Sequence, residues 1–160
     1  LEARLDRLKQ RIKIDLSTDD VITPSAIRYS YRLMFEDRSI ELMTYTPETL
    51  LAEKIQTILA RGITTTRMRD YYDVYEIVVG NKVSIDKEVL AEAFTATCMK
   101  RKTIFGSEQI EKIVNEISAD EGLLNLWNLY KNDNFYVGDI TWTVVCEVVC
   151  AYIRDNNAFR

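Results

Sequence analysis

The spacing of apolar residues changes once along this chain, near Thr46. Before it, Leu1, Leu5 and Leu8 share a face of an expected opening helix. "IKIDLS" then alternates Ile12, Ile14 and Leu16 with Lys13, Asp15 and Ser17, the period of a half-buried strand. Asp19, Asp20, Thr23, Pro24 and Ser25 make a loop. "IRYSYRLMF" and "IELMTY" alternate again and join across Glu36 to Ser39, which predicts a hairpin.

After Thr46 the period is helical. Thr46 as N-cap and Pro47 at the first helical position open a helix with Leu50, Leu51, Ile55, Ile58 and Leu59 on its apolar face, stopped by Gly62. A second helix follows, with Thr66 the expected N-cap, Gly80 the stop and Met68, Tyr71, Tyr72, Tyr75 and Val79 as its stripe. Asp86 starts a third through Val89, Leu90, Ala93, Phe94 and Thr97. Ser107 caps a fourth carrying Ile110, Ile113, Val114 and Ile117. Leu123 to Tyr130, with Trp127, continues as a fifth, and the last begins after Asp139 with Trp142, Val145, Cys146, Val149 and Ile153. The fold class is therefore α+β, mostly helical: a short β-rich start over 1–45, then about six helices over 46–160.

Composition narrows the chemistry. Of 160 residues, 47% are hydrophobic and 29% charged, the balance of a soluble domain. No apolar run approaches a membrane span and no signal peptide is apparent, so a cytoplasmic protein with no membrane contact is expected. With no histidine, a histidine base or Ser-His-Asp triad is excluded. The three cysteines do not make a disulfide framework, and Cys146 and Cys150 read as small core residues. A net charge of −4 argues against indiscriminate nucleic-acid binding but leaves room for a local basic patch.

Four places carry candidate chemistry, each with two readings. In "TTTRMRDYYDVYEIVVG", Asp70, Asp73 and Glu76 stand three apart on one helix face and repel, while Arg67 reaches Asp70 and Arg69 reaches Asp73; the row is either a solvated face or a polar site. Asp15 is a solvent-facing strand aspartate or a rigidly held metal ligand of the kind Mg²⁺ uses. Lys54 is a surface lysine or a point charge for a triphosphate. "MKRKT", residues 99–103, neutralises a helix end or contacts phosphate.

Taken in order, "KIDLSTDD", "YTPETLLAEKIQTILARG" and "TRMRDYYDVYEIV" resemble the later motifs of the AbiEii/AbiGii toxin family of nucleotidyltransferases. "LAEAFTATCMKRKT" resembles the helix that follows, and Trp127 with Tyr130 a later Trp-x-x-Tyr. The resemblance makes 1–45 part of a nucleotidyltransferase sheet. It implies an enzyme that moves a nucleoside monophosphate from an NTP to an acceptor, with tRNA a candidate, in phage defence or a toxin–antitoxin pair. Asp15 would be its metal carboxylate, and Lys54 would contact the nucleotide phosphates and, with Asp15 and Asp70, serve catalysis. Arg67, Arg69 and Asp73 would line the same cleft.

Arg69 stands where the family usually has lysine. The family's Gly-Ser turn followed by Asp-x-Asp does not occur in this sequence. The resemblance implies two metal ions held by three carboxylates, of which this chain supplies only Asp15, so the chain, which opens on Leu1, is expected to be an inactive fragment, with Mg²⁺ bound only in the complete protein. The alternative is a non-catalytic module that holds an antitoxin protein or an RNA.

Overall fold

In the computed structural model, which describes residues 2–14, 16, 21–80 and 83–159, the change of period at Thr46 is the boundary between strand and helix. The Thr46 hydroxyl accepts the Thr49 N–H at 3.3 Å, and Pro47 opens α1, Pro47–Arg61. Gly62 ends it at φ 49°, where a residue with a Cβ would be strained. α2 is Met68–Gly80, α3 Lys87–Lys100, α4 Ser107–Ala119, α5 Glu121–Asp133 and α6 Trp142–Asp155. Asp86 caps α3 by accepting the Glu88 and Val89 N–H groups, and the Asp120 carboxylate caps α5.

The helices share one core. Leu51, Ile55 and Ile58 of α1, Tyr71 and Val74 of α2, Leu90 of α3, Val114 and Ile117 of α4, Trp127 of α5 and Val149 of α6 are all buried. α1 lies between α2 and α3, and α6 packs on α2, α4 and α5. Each buried aliphatic side chain contributes about 1.5–3 kcal/mol. That burial fixes α1 against α2, and with them every side chain between the two. Glu48, itself buried, accepts the Asp86 N–H at 3.1 Å and ties the starts of α1 and α3 together.

The start of the chain departs from the expected helix and strand. Glu2–Leu5 (β1) and Leu8–Arg11 (β2) form an antiparallel hairpin with Leu5 opposite Leu8 and Glu2 opposite Arg11. The leucine spacing is equally compatible with this register. What decides is Asp6, which enters the left-handed region at φ 51° and closes a two-residue turn. Residues 12–14 and 16 are not a strand: Ile12, Ile14 and Leu16 are exposed, with no sheet beside them among the described residues. The second hairpin, Ile27–Arg32 (β3) with Ser39–Thr44 (β4), is as expected, with Tyr29 opposite Leu42 and Tyr31 opposite Ile40.

Smaller corrections concern caps and faces. Thr65 and not Thr66 precedes α2 as acceptor, taking the Arg67 N–H at 3.1 Å. Gly106 is the N-cap of α4, and Ser107 is its first residue. Leu50 and Val79 lie exposed, and Val74 takes the buried place expected for Val79.

Trp127 is fully buried, donates Nε1–H to the Ile140 carbonyl at 3.1 Å and packs on Trp142 and Tyr130. Trp127→Ala is expected to lower unfolding free energy by about 3–5 kcal/mol in a urea titration at unchanged m-value.

Candidate functional site

The acidic row on α2 is not a solvated face along its first two turns. Packing α2 on α1 turns Asp70 and Asp73 toward Lys54, which sits at the edge of the buried stripe of α1. Lys54 Nζ donates to Asp73 Oδ2 at 2.6 Å and to Asp70 Oδ1 at 3.4 Å. Arg67 Nε donates to the other Asp70 oxygen at 2.9 Å, and Arg69 Nε lies 3.7 Å from Asp73 Oδ2. Glu76, one turn further along, stays exposed.

The energetics follow from burial. The Asp70 side chain is 7% exposed and that of Lys54 18%, against 57% for Arg67. A buried carboxylate is costly unless both oxygens are paired, and Asp70 has a cation on each. Lys54 lies between two carboxylates that would otherwise repel, so it offsets the i,i+3 penalty that the α2 sequence carries. Arg69 is more exposed and its contact longer, so it contributes little to stability.

These residues wall an open depression of about 810 Å³ between α1, α2 and α5. Tyr72 of α2, Tyr130 of α5 and Glu76 also line it. The Tyr130 and Tyr136 hydroxyls share a hydrogen bond of 2.9 Å, and the Tyr72 hydroxyl donates to the Tyr136 carbonyl at 3.3 Å. Burial, and then the bond to Tyr136, push the Tyr130 phenol well above its ordinary range. Burial and then the Glu76 carboxylate raise Tyr72. Both remain neutral near pH 7 and offer ring surface and hydroxyls instead of a base. On the opposite side of α2, Tyr71 packs edge-on against Trp142 at 5.1 Å, and its buried hydroxyl has no partner among the described residues.

Of the residues singled out in the sequence, Lys54, Arg67, Arg69, Asp70 and Asp73 are thus brought together. Asp15 lies outside the described residues. The described carboxylates do not fit Mg²⁺: both aspartates are already ion-paired, and among the described residues no cluster of three metal-ligating side chains occurs. Tyr72 and Glu76 were legible only as stripe and row, and Tyr130 as part of a distant motif. The place of Tyr130 at the depression depends on how α5 packs.

A family model described as nucleotidyl transferase AbiEii toxin, Type IV TA system, matches residues 1–144. No curated protein matches, and no solved structure does. No helix among the described residues is long and apolar enough to cross a membrane.

Asp70→Asn keeps the shape of the side chain and removes the charge that Lys54 and Arg67 share. The expected loss is roughly 2–3 kcal/mol of unfolding free energy, the range for a buried hydrogen bond to a charged group. Glu76→Gln, exposed on the same face, is expected to stay within about 0.5 kcal/mol. Equal effects by chemical denaturation would show that burial of Asp70 is not what anchors the row.

Proposed function

The chain belongs to the AbiEii nucleotidyl transferase toxin family of Type IV toxin–antitoxin systems, and from this premise we propose that the depression between α1 and α2 binds the phosphates of an NTP whose nucleoside monophosphate is transferred to an acceptor. The observation that carries the reading is Lys54, an ammonium held between two carboxylates on the wall of an open hollow that Arg67 and Arg69 also line. An ammonium has three donors. Asp70 and Asp73 take two of them, and the third is left for a phosphate oxygen.

In the reaction proposed, the acceptor hydroxyl oxygen forms a bond to the α-phosphorus while the bond to the bridging α–β oxygen breaks. Pyrophosphate leaves, and the hydroxyl proton passes to a base. The charge that gathers on the departing pyrophosphate is what Lys54, Arg67 and Arg69 would stabilise, and Asp70 and Asp73 would hold those cations in place beforehand. The tyrosine rings at the other wall suit the flat face of a base.

Asp15 remains the proposed metal carboxylate, and Mg²⁺ the proposed ion. We keep an RNA end such as that of tRNA as the proposed acceptor, a cognate antitoxin as partner, phage defence as the setting and the cytoplasm as location. The sequence lacks an Asp-x-Asp pair, and transfer is proposed to require it.

Titration calorimetry of the chain with each NTP tests the phosphate reading without requiring turnover. Lys54→Met is expected to weaken NTP binding about tenfold or more, the effect of one lost charge-assisted hydrogen bond. Lys112→Met on α4 is expected to bind as the parent does. Parental affinity in a folded Lys54→Met protein would overturn the reading.

A further inference from the structure

α3 ends on a left-handed residue that is not glycine. Lys102 has φ 54°. The Thr103 N–H closes on the Cys98 carbonyl at 2.9 Å and the Lys102 N–H on that of Met99 at 3.2 Å, the pair of bonds that finishes a helix where glycine is usual. Lysine there is strained, because its Cβ crowds the following carbonyl oxygen. The closure holds the two neighbours of Lys102 against α1.

What it holds is a cation with its donors fixed. Arg101 Nη1 donates to Gln56 Oε1, to Thr57 Oγ1 at 2.9 Å and toward the Glu53 carbonyl at 3.4 Å. Gln56 is 2% exposed, and its Nε2 donates to Thr103 Oγ1 at 3.1 Å. An amide buried this deeply, with its oxygen on a guanidinium and its nitrogen on a hydroxyl, leaves Arg101 little freedom. Arg101 satisfies uncharged oxygens here, so its positive charge is not neutralised by these bonds.

Arg61, from the last turn of α1, and Arg67 border the same hollow, which has a volume of about 430 Å³. Among the described residues no carboxylate lines it. Arg67 is paired with Asp70 outside this lining, but no acidic side chain among the described residues stands beside Arg61 and Arg101 in the hollow, which is unexpected in a chain with a net charge of −4. Two guanidiniums facing one hollow with no described carboxylate in its lining repel one another, and a planar guanidinium fork matches phosphate oxygens in pairs. Arg67 also lines the Lys54 depression, so the two hollows adjoin.

We propose that the hollow between α1 and the end of α3 is a second phosphate-binding site, separate from the Lys54 depression and joined to it through Arg67. Arg61 and Arg101 bind the phosphate oxygens, the Thr57 and Thr103 hydroxyls border them, and Gln56 fixes Arg101. The ligand is a phosphate group, carried either on a single nucleic-acid strand or on a free polyphosphate. The site goes beyond the nucleotide reading and does not need transfer to occur.

The experiment measures binding of the chain to a fluorescent single-stranded RNA 12-mer by anisotropy, and to inorganic tripolyphosphate by calorimetry, over a range of salt. Variants are Arg61→Gln, Arg101→Gln, Lys54→Met and the control Lys112→Gln. Each arginine change is expected to weaken binding about fivefold or more and, for the strand, to reduce the slope of log affinity against log salt by about 0.7. Loss for the 12-mer alone identifies a backbone phosphate. Loss for tripolyphosphate identifies a free polyphosphate.

Arg61→Gln breaks none of the hydrogen bonds described above, so its effect cannot come from a disturbed helix end. Affinity within twofold of the parent for both ligands in both arginine variants would overturn the proposal. Because Lys54→Met reports on the other depression, failure of one site is distinguishable from failure of the other.

Discussion

A single ammonium shared by two carboxylates sets the geometry of this molecule's polar face. Lys54 reaches from α1 to Asp70 and Asp73 on α2. Without it those two side chains would be like charges a turn apart, one of them nearly buried. With it, the acidic row becomes the wall of a depression, and Arg67 and Arg69 are drawn to the same place. The apolar packing of α1 on α2 brings the charges within reach, and the charges in turn determine what that junction presents to solvent.

The same economy of contacts explains why the depression suits an anion while its wall contains aspartates. Three cations and three carboxylates line the depression; the most buried carboxylate, Asp70, has both its oxygens engaged, Asp73 is paired with Lys54, and Glu76 is exposed. A ligand therefore meets held cations beside two paired aspartates, with the exposed Glu76 one turn further along α2. The neighbouring hollow follows the same rule by a different route, since Arg101 is held by an amide, a hydroxyl and a carbonyl and retains its charge uncompensated by these contacts.

Much of the helical part is legible in the sequence, because its boundaries are local chemistry. Thr46 with Pro47, Gly62 and Asp86 each act through their own backbone neighbours, and each ends or starts a helix where the sequence places it. The first residues were not legible. Leucines at 1, 5 and 8 suit a helix face as well as two strands, and the outcome turns on the left-handed conformation of Asp6. Thr65 displaces Thr66 for a similar reason: which hydroxyl faces the turn depends on the path of the chain out of Gly62.

The site was legible in part. Arg67 to Asp70 is a local pair that spacing alone suggests, whereas Lys54 with Asp73 spans 19 residues and exists only because α1 and α2 pack. Tyr130 and the Arg101–Gln56 contact depend on still more distant packing. A double-mutant cycle over Lys54→Met and Asp73→Asn, read by urea unfolding, measures the central interaction most directly. A coupling free energy of about 1 kcal/mol or more is the result this account predicts. Single-mutant effects that add to within about 0.3 kcal/mol would contradict it.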